Sequence, residues 1–113
     1  MNVAFVVLLT IIIAGCKKSD TVIIDIPNCV KDKIDYYNNS PNSYINKVDE
    51  FLFQGKLVYV FSQDGTKISD AGAIIINNDC SSLCFLGGIA GISTCNGDNF
   101  SQKAILQRVI WKK

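Results

Sequence analysis

The apolar positions of this chain change period as it runs. Val3 to Ala14 is a continuous apolar stretch broken only by Thr10, and no charge appears before Lys17. A membrane-spanning helix needs roughly 20 apolar residues, so this stretch is too short to cross alone and has the length of a secretory h-region. Lys17 to Asp25 begins polar and carries no helical period; it reads as a tether of about 30 Å if fully extended. Ile26-Pro27 then opens a helix, proline being tolerated in a first turn where its missing N–H costs nothing. Ile26, Val30, Ile34 and Tyr37 recur at three- and four-residue spacing, with Lys31, Asp32 and Asp35 opposite and Cys29 and Lys33 flanking. Asn38-Asn39-Ser40-Pro41 ends the helix by turn chemistry and proline.

From Tyr44 the pattern becomes that of strands. Val48 to Phe53 and Leu57 to Phe61 are rich in β-branched and aromatic residues and are joined by Gln54-Gly55-Lys56, a hairpin signal. Asp64-Gly65 marks a turn, Ala73 to Ile76 a third strand, Asn77-Asn78-Asp79 another turn, and Leu83 to Leu86 a strand that pairs back. After a turn at Asn96 to Asn99, the segment from Phe100 is mixed. Ala104 to Gln107 favours helix and Arg108 to Lys112 favours strand, so a short helical turn followed by a strand is expected. The predicted fold class is α+β, with one N-terminal helix packed on a small antiparallel β-sheet. Tyr36, Tyr37, Phe51, Phe53, Tyr59, Phe61, Phe85, Phe100 and Trp111 are read as its core, although strand alternation would leave some of them outward if only one face is covered.

The junction after the first apolar stretch is the sharpest local signal. Ile13-Ala14-Gly15-Cys16, followed by Lys17-Lys18-Ser19-Asp20, resembles the lipobox of a bacterial lipoprotein. The resemblance implies a signal peptide over 1–15, with Ile13, Ala14 and Gly15 as its recognition residues, and lipidation of Cys16 at the head of a 16–25 tether. It leaves 26–113 as the folded domain. Multiple acyl chains give the stable anchoring that a single chain does not. No Lys or Arg precedes the h-region, which departs from the usual signal pattern. In Gram-negative lipoproteins an Asp directly after the cysteine favours the inner membrane. Lys17 in that position implies the outer membrane, facing the periplasm, with the cell surface as the other address.

Cys29, Cys80, Cys84 and Cys95 remain, an even number in a small exported domain, and read as a disulfide framework. Three pairings exist and sequence does not choose among them. The arrangement preferred here is Cys29 with Cys80, pinning the helix to the sheet, and Cys84 with Cys95, closing the glycine-rich stretch. Each such bridge stabilises by about 3–4 kcal/mol in the chain-entropy model. A zinc site would want two close pairs, and Cys29 stands far from the rest. No Cys-x-x-Cys redox motif is present.

Composition narrows the chemistry further. A formal charge of +1 offers no electrostatic case for nucleic acid. The chain has no histidine, the commonest general base and metal ligand. Gly87-Gly88-Ile89-Ala90-Gly91 lacks the ending of a phosphate loop and reads as a tight crossing of backbone past backbone. Asp49 and Glu50 are adjacent in a strand and face opposite ways. Asp64, Asp79 and Asp98 sit beside Gly or Asn, where turns use carboxylates locally. No catalytic residue, metal site or cofactor is assigned.

The strings Phe53 to Phe61, Leu86 to Gly91, Asn96 to Phe100, Ile26 to Cys29 and the terminal Trp111 resemble small exported lipoproteins of Gram-negative bacteria that carry a domain of unknown function. That family typically has a further cysteine after the second hairpin strand, where this chain has Ser62-Gln63-Asp64. The resemblance implies export and a compact fold and no activity. The expected function is a lipid-anchored binding or accessory module, joined to the membrane by its anchor and contacting an envelope protein or glycan through a sheet face. The alternative is a small envelope enzyme or enzyme inhibitor acting through carboxylates, Asp79 and Asp98 among them, or through the Cys84–Cys95 loop.

Overall fold

The computed structural model describes residues 26–113. Helix α1 (Asn28–Asn38) leads into strands β1 (Ile45–Phe53), β2 (Lys56–Gln63), β3 (Gly72–Asn77) and β4 (Ser82–Gly87). Two short strands, β5 (Thr94–Cys95) and β6 (Asp98–Asn99), precede a single helical turn, α2 (Phe100–Lys103), and the last strand, β7 (Ile105–Lys112). The predicted α+β class is the one found: a helix against an antiparallel sheet. The sheet order is β4-β3-β2-β1-β7, so a four-strand meander is closed by the C-terminal strand lying beside the first.

Local chemistry explains the joints. Pro27 sits outside the helix as its N-cap, and its carbonyl accepts the Val30 and Lys31 amides at 3.0 and 3.1 Å. The β1–β2 connection is tighter than the three residues expected. Gln54 (φ 53°) and Gly55 (φ 77°) alone make the turn, and Lys56 already pairs with Phe53. Two successive positive φ angles are what a type I′ hairpin requires, and glycine supplies the second at little cost. Asn96 and Gly97 repeat the device between β5 and β6, a strand pair that the sequence pattern did not reveal. The helical turn expected over Ala104 to Gln107 lies four residues earlier, at Phe100–Lys103. Asn99 caps it by accepting the Gln102 amide through its side chain, and Ala104 is already extended.

Both faces of the sheet are covered, each with its own core. Val30, Ile45, Val48, Tyr59, Phe61 and Ile76 are buried beneath α1, with Ile26, Ile34, Tyr37 and Trp111 packed against them. The predicted helical stripe is therefore the buried one. On the opposite face Phe53, Val58, Val60, Ile75, Cys95 and Phe100 form a second buried cluster under the chain between β4 and β7. Strand β2 shows the division, with Val58 and Val60 in one core and Tyr59 and Phe61 in the other. At about 1.5–3 kcal/mol per large apolar side chain buried, a two-sided sheet secures far more than the single face foreseen.

The aromatic core expectation is corrected at two positions. Tyr36 is 67% exposed and only flanks Tyr37 edge-on at 5.3 Å, because it lies off the helical stripe. Phe85 is also exposed, on the outer face of strand β4, although its ring closes over the glycines at 72 and 88.

Candidate functional site

The cysteines pair as preferred. Cys29 joins Cys80 with Cα atoms 6.2 Å apart, and Cys84 joins Cys95 at 5.5 Å. Cys29 lies in the first turn of α1 and Cys80 in the β3–β4 turn, so the first bridge ties the helix start to one end of the sheet. The second ties β4 to β5 and holds the second layer down. Ile13, Ala14 and Gly15, expected as signal-recognition residues, and Cys16, expected as the lipidated residue, lie outside the described residues, as does the tether to Asp25.

The glycine-rich stretch is a close backbone crossing, as read. Gly87 N donates to Ile92 O at 2.7 Å, and Ile92 N returns the bond to Gly87 O at 3.2 Å. A Cβ on Gly87 would stand 3.0 Å from the Gly72 Cα and 3.1 Å from the Ala71 carbonyl.

The carboxylates divide by environment. Asp79 Oδ1 accepts the Ser81 hydroxyl at 2.6 Å and amide at 2.9 Å, and these bonds, hydroxyl first, hold it below the ordinary carboxylate value. Thr66 does the same for Asp64, hydroxyl at 2.7 Å and amide at 2.9 Å. Asp98 accepts Gln54 Nε2 at 2.7 Å, and Asn96 Nδ2 donates to Gln54 Oε1 at 2.7 Å, latching the β5–β6 turn to the β1–β2 turn. Among the described residues no group of three His, Cys, Asp or Glu side chains is placed to hold a metal ion.

Asp49 and Glu50 do face opposite sides, and both are buried. Glu50 sits between its cross-strand neighbours Tyr59 and Arg108. It accepts the Tyr59 hydroxyl at 2.9 Å and the Arg108 guanidinium at 2.9 Å (Nε) and 3.2 Å (Nη2). On the other face Asp49 Oδ2 lies 3.5 Å from Lys47 Nζ, and Oδ1 has no hydrogen-bond partner among the described residues. The partners of these two carboxylates are not evident from the sequence pattern. The available signal was the single Arg of the chain, Arg108 in β7, together with the acidic pair at the centre of β1.

The surface feature that stands out is the open edge. Leu52 pairs with Leu57 on one side and Ile105 on the other, so the three form a row across β2, β1 and β7 on the helix side of the sheet. All three are exposed, Ile105 by 60%. The reason is the path of α1. Its start is held at the β3–β4 turn by Cys29–Cys80, and its end near the close of β7 by Lys113 Nζ, which donates to the Tyr37 and Ser40 carbonyls, both at 3.2 Å. That diagonal leaves the corner at Leu52 bare. On the opposite face Leu106 and Val109 are exposed as well. Strand β7 therefore offers apolar side chains on both faces and, as the last strand of the sheet order, an edge with no further strand beside it among the described residues. Among the described residues no helix is long and apolar enough to cross a membrane.

Residues 34–113 match the family model of a domain of unknown function, DUF6970. The chain belongs to that family. The match begins within α1, so Cys29 and everything before it lie outside the matched span. No curated protein and no solved structure shows significant similarity to the chain.

Proposed function

We propose that the protein is a lipid-anchored module of the Gram-negative cell envelope that binds a partner protein through the β7 edge, in an accessory rather than a catalytic role. The observation that carries the binding role is the edge strand β7, with exposed Ile105 beside Leu52 and Leu57 on one face of the sheet and exposed Leu106 and Val109 on the other. Exposed apolar rows beside a strand edge mark interaction sites, and such an edge accepts an added strand by main-chain hydrogen bonds, with flanking side chains on each face setting specificity. The protein's own two cores cover most of both sheet faces, so the contact proposed here lies at the bare corner and edge beside β7.

The anchor rests on Ile13-Ala14-Gly15-Cys16 and the polar residues that follow. Lys17 directly after the cysteine favours the outer membrane, with the domain facing the periplasm. Acylation at Cys16 would hold the domain within a tether length of the bilayer.

One experiment addresses both halves. Wild type and Cys16→Ala are expressed in a Gram-negative host with a photo-crosslinking residue at Ile105 or, as a control, at Lys33. Wild type is expected in the membrane fraction with added lipid mass and without residues 1–15, and Cys16→Ala in an uncleaved or soluble form. A discrete adduct from position 105 and none from position 33 supports the edge. Equal labelling from both positions refutes it, and an unmodified Cys16 refutes the anchor.

A further inference from the structure

The loop between α1 and β1 and the loop between β2 and β3 meet at Tyr44, whose carbonyl accepts the Asp64 amide at 2.7 Å. Between them lies an open depression of 380 Å³ lined by Pro41, Asn42, Ser43, Tyr44 and Lys67. It is far along the sheet from the Leu52 corner, since Tyr44 precedes β1 and Leu52 is near its end. Ligand pockets run from about 300 to 1,000 Å³, so this one suits a single ring rather than an extended molecule.

Its walls are fixed before any ligand arrives. Ser43 N donates to Ser40 O at 3.0 Å, and Ser43 Oγ accepts the Ile45 amide at 3.1 Å. On the facing side Lys67 N donates to Asp64 O at 3.0 Å, while Asp64 is itself held by Thr66. Fixed walls reduce the ordering cost of binding.

The chemistry of the lining is specific in kind. Tyr44 is 47% exposed, so one aromatic ring is open to stacking. Asn42 offers an amide and Ser43 a hydroxyl hydrogen, and the Lys67 ammonium supplies a positive charge at the rim, close enough to the Asp64 carboxylate to help hold it below its ordinary value. None of the lining residues is acidic. One aromatic platform ringed by donors and a single cation matches a ring that has a C–H face, several hydroxyls and one negative charge. A purely apolar ligand would leave the donors unpaired, and a bare anion would leave the ring unused.

We propose that this depression binds an acidic monosaccharide unit, with the pyranose stacked on Tyr44 and its carboxylate on Lys67. The site does not depend on the anchor or on the β7 edge. The test uses the full chain, purified in detergent with both disulfides intact and followed by amide NMR shifts. It is titrated with D-glucuronate and, separately, with D-glucose and acetate. Saturable shifts confined to Asn42–Tyr44 and Lys67 are expected, with glucuronate about ten-fold tighter than either control. Lys67→Gln should lower glucuronate to the glucose level, Tyr44→Ala should abolish both responses, and Tyr44→Phe should retain them. Equal response to acetate and glucuronate, equal response to glucose and glucuronate, or no shift at those residues in the millimolar range overturns the proposal.

Discussion

Arg108→Met tests how much the fold depends on one buried carboxylate. Glu50 is 4% exposed and is served by three hydrogen bonds, one from the Tyr59 hydroxyl and two from Arg108. Removing one partner of a fully buried ion pair costs about 3–5 kcal/mol, because the remaining charge is stranded, whereas exposed pairs are worth about 0–1. The Arg108 side chain is 39% exposed, so water reaches part of the pair and the expected loss falls between those limits, at about 2–3 kcal/mol. For a domain of this size that lowers Tm by about 10–20 °C. The double variant Glu50→Gln/Arg108→Met removes both charges and leaves an amide that can still accept from Tyr59, so its loss should be only about 1 kcal/mol. The assay is urea unfolding by circular dichroism at pH 7 with the disulfides intact. A single variant within about 0.5 kcal/mol of wild type, or a double variant less stable than the single, would refute the reasoning.

Other outcomes follow from the same structure. The Cys29–Cys80 bridge spans 51 residues and the Cys84–Cys95 bridge 11. Replacing the first pair by alanine should therefore cost about 4 kcal/mol and the second about 3 in the same urea assay, the first being the larger loss. Gly72→Ala places a Cβ against the Leu86 carbonyl and the Phe85 ring. It should destabilise by about 1–3 kcal/mol, and a neutral outcome would mean that β3 and β4 can separate there. Asp64 and Asp79 are held below their ordinary value of 3.8 by their Thr66 and Ser81 bonds. With folded values depressed, their contribution is present above the unfolded value and is lost as pH falls through the folded one. Stability should thus fall only in the acid range below about pH 4. Carboxyl NMR titration of both residues checks the direction, and midpoints at or above the ordinary value would contradict it.

Much of this architecture was written in local pattern. The Ile26, Val30, Ile34, Tyr37 stripe located the buried face of α1, since helix periodicity and burial are the same information. Gly55, Asn77 to Asp79 and Asn96-Gly97 placed the turns because positive φ and side-chain turn bonds restrict residue type. What was not legible depended on contacts far apart in sequence. The second layer is held by Cys84–Cys95 and the Gln54–Asp98 latch, and the residues of β5 and β6 are too few to show a period. Tyr36 and Phe85 were counted as core on composition, yet their positions on helix and strand turn them outward. The exposed row at Leu52 was invisible for the same reason, since it arises from the diagonal path of α1 across the sheet.

The place of Cys29 also decides how the domain would carry load. A pull applied through the residues before Ile26 reaches Cys29 within three residues and passes across the covalent bridge to Cys80, into the β3–β4 turn. The remaining length of α1 is bypassed, so tension cannot strip the helix from the sheet turn by turn and expose the core beneath it. Reduction of that one bond reroutes the strain along α1, where side-chain packing and the Lys113 hydrogen bonds at its far end are what resist. The oxidised domain should hold its shape under stretching forces that unravel the reduced one from its N-terminal end.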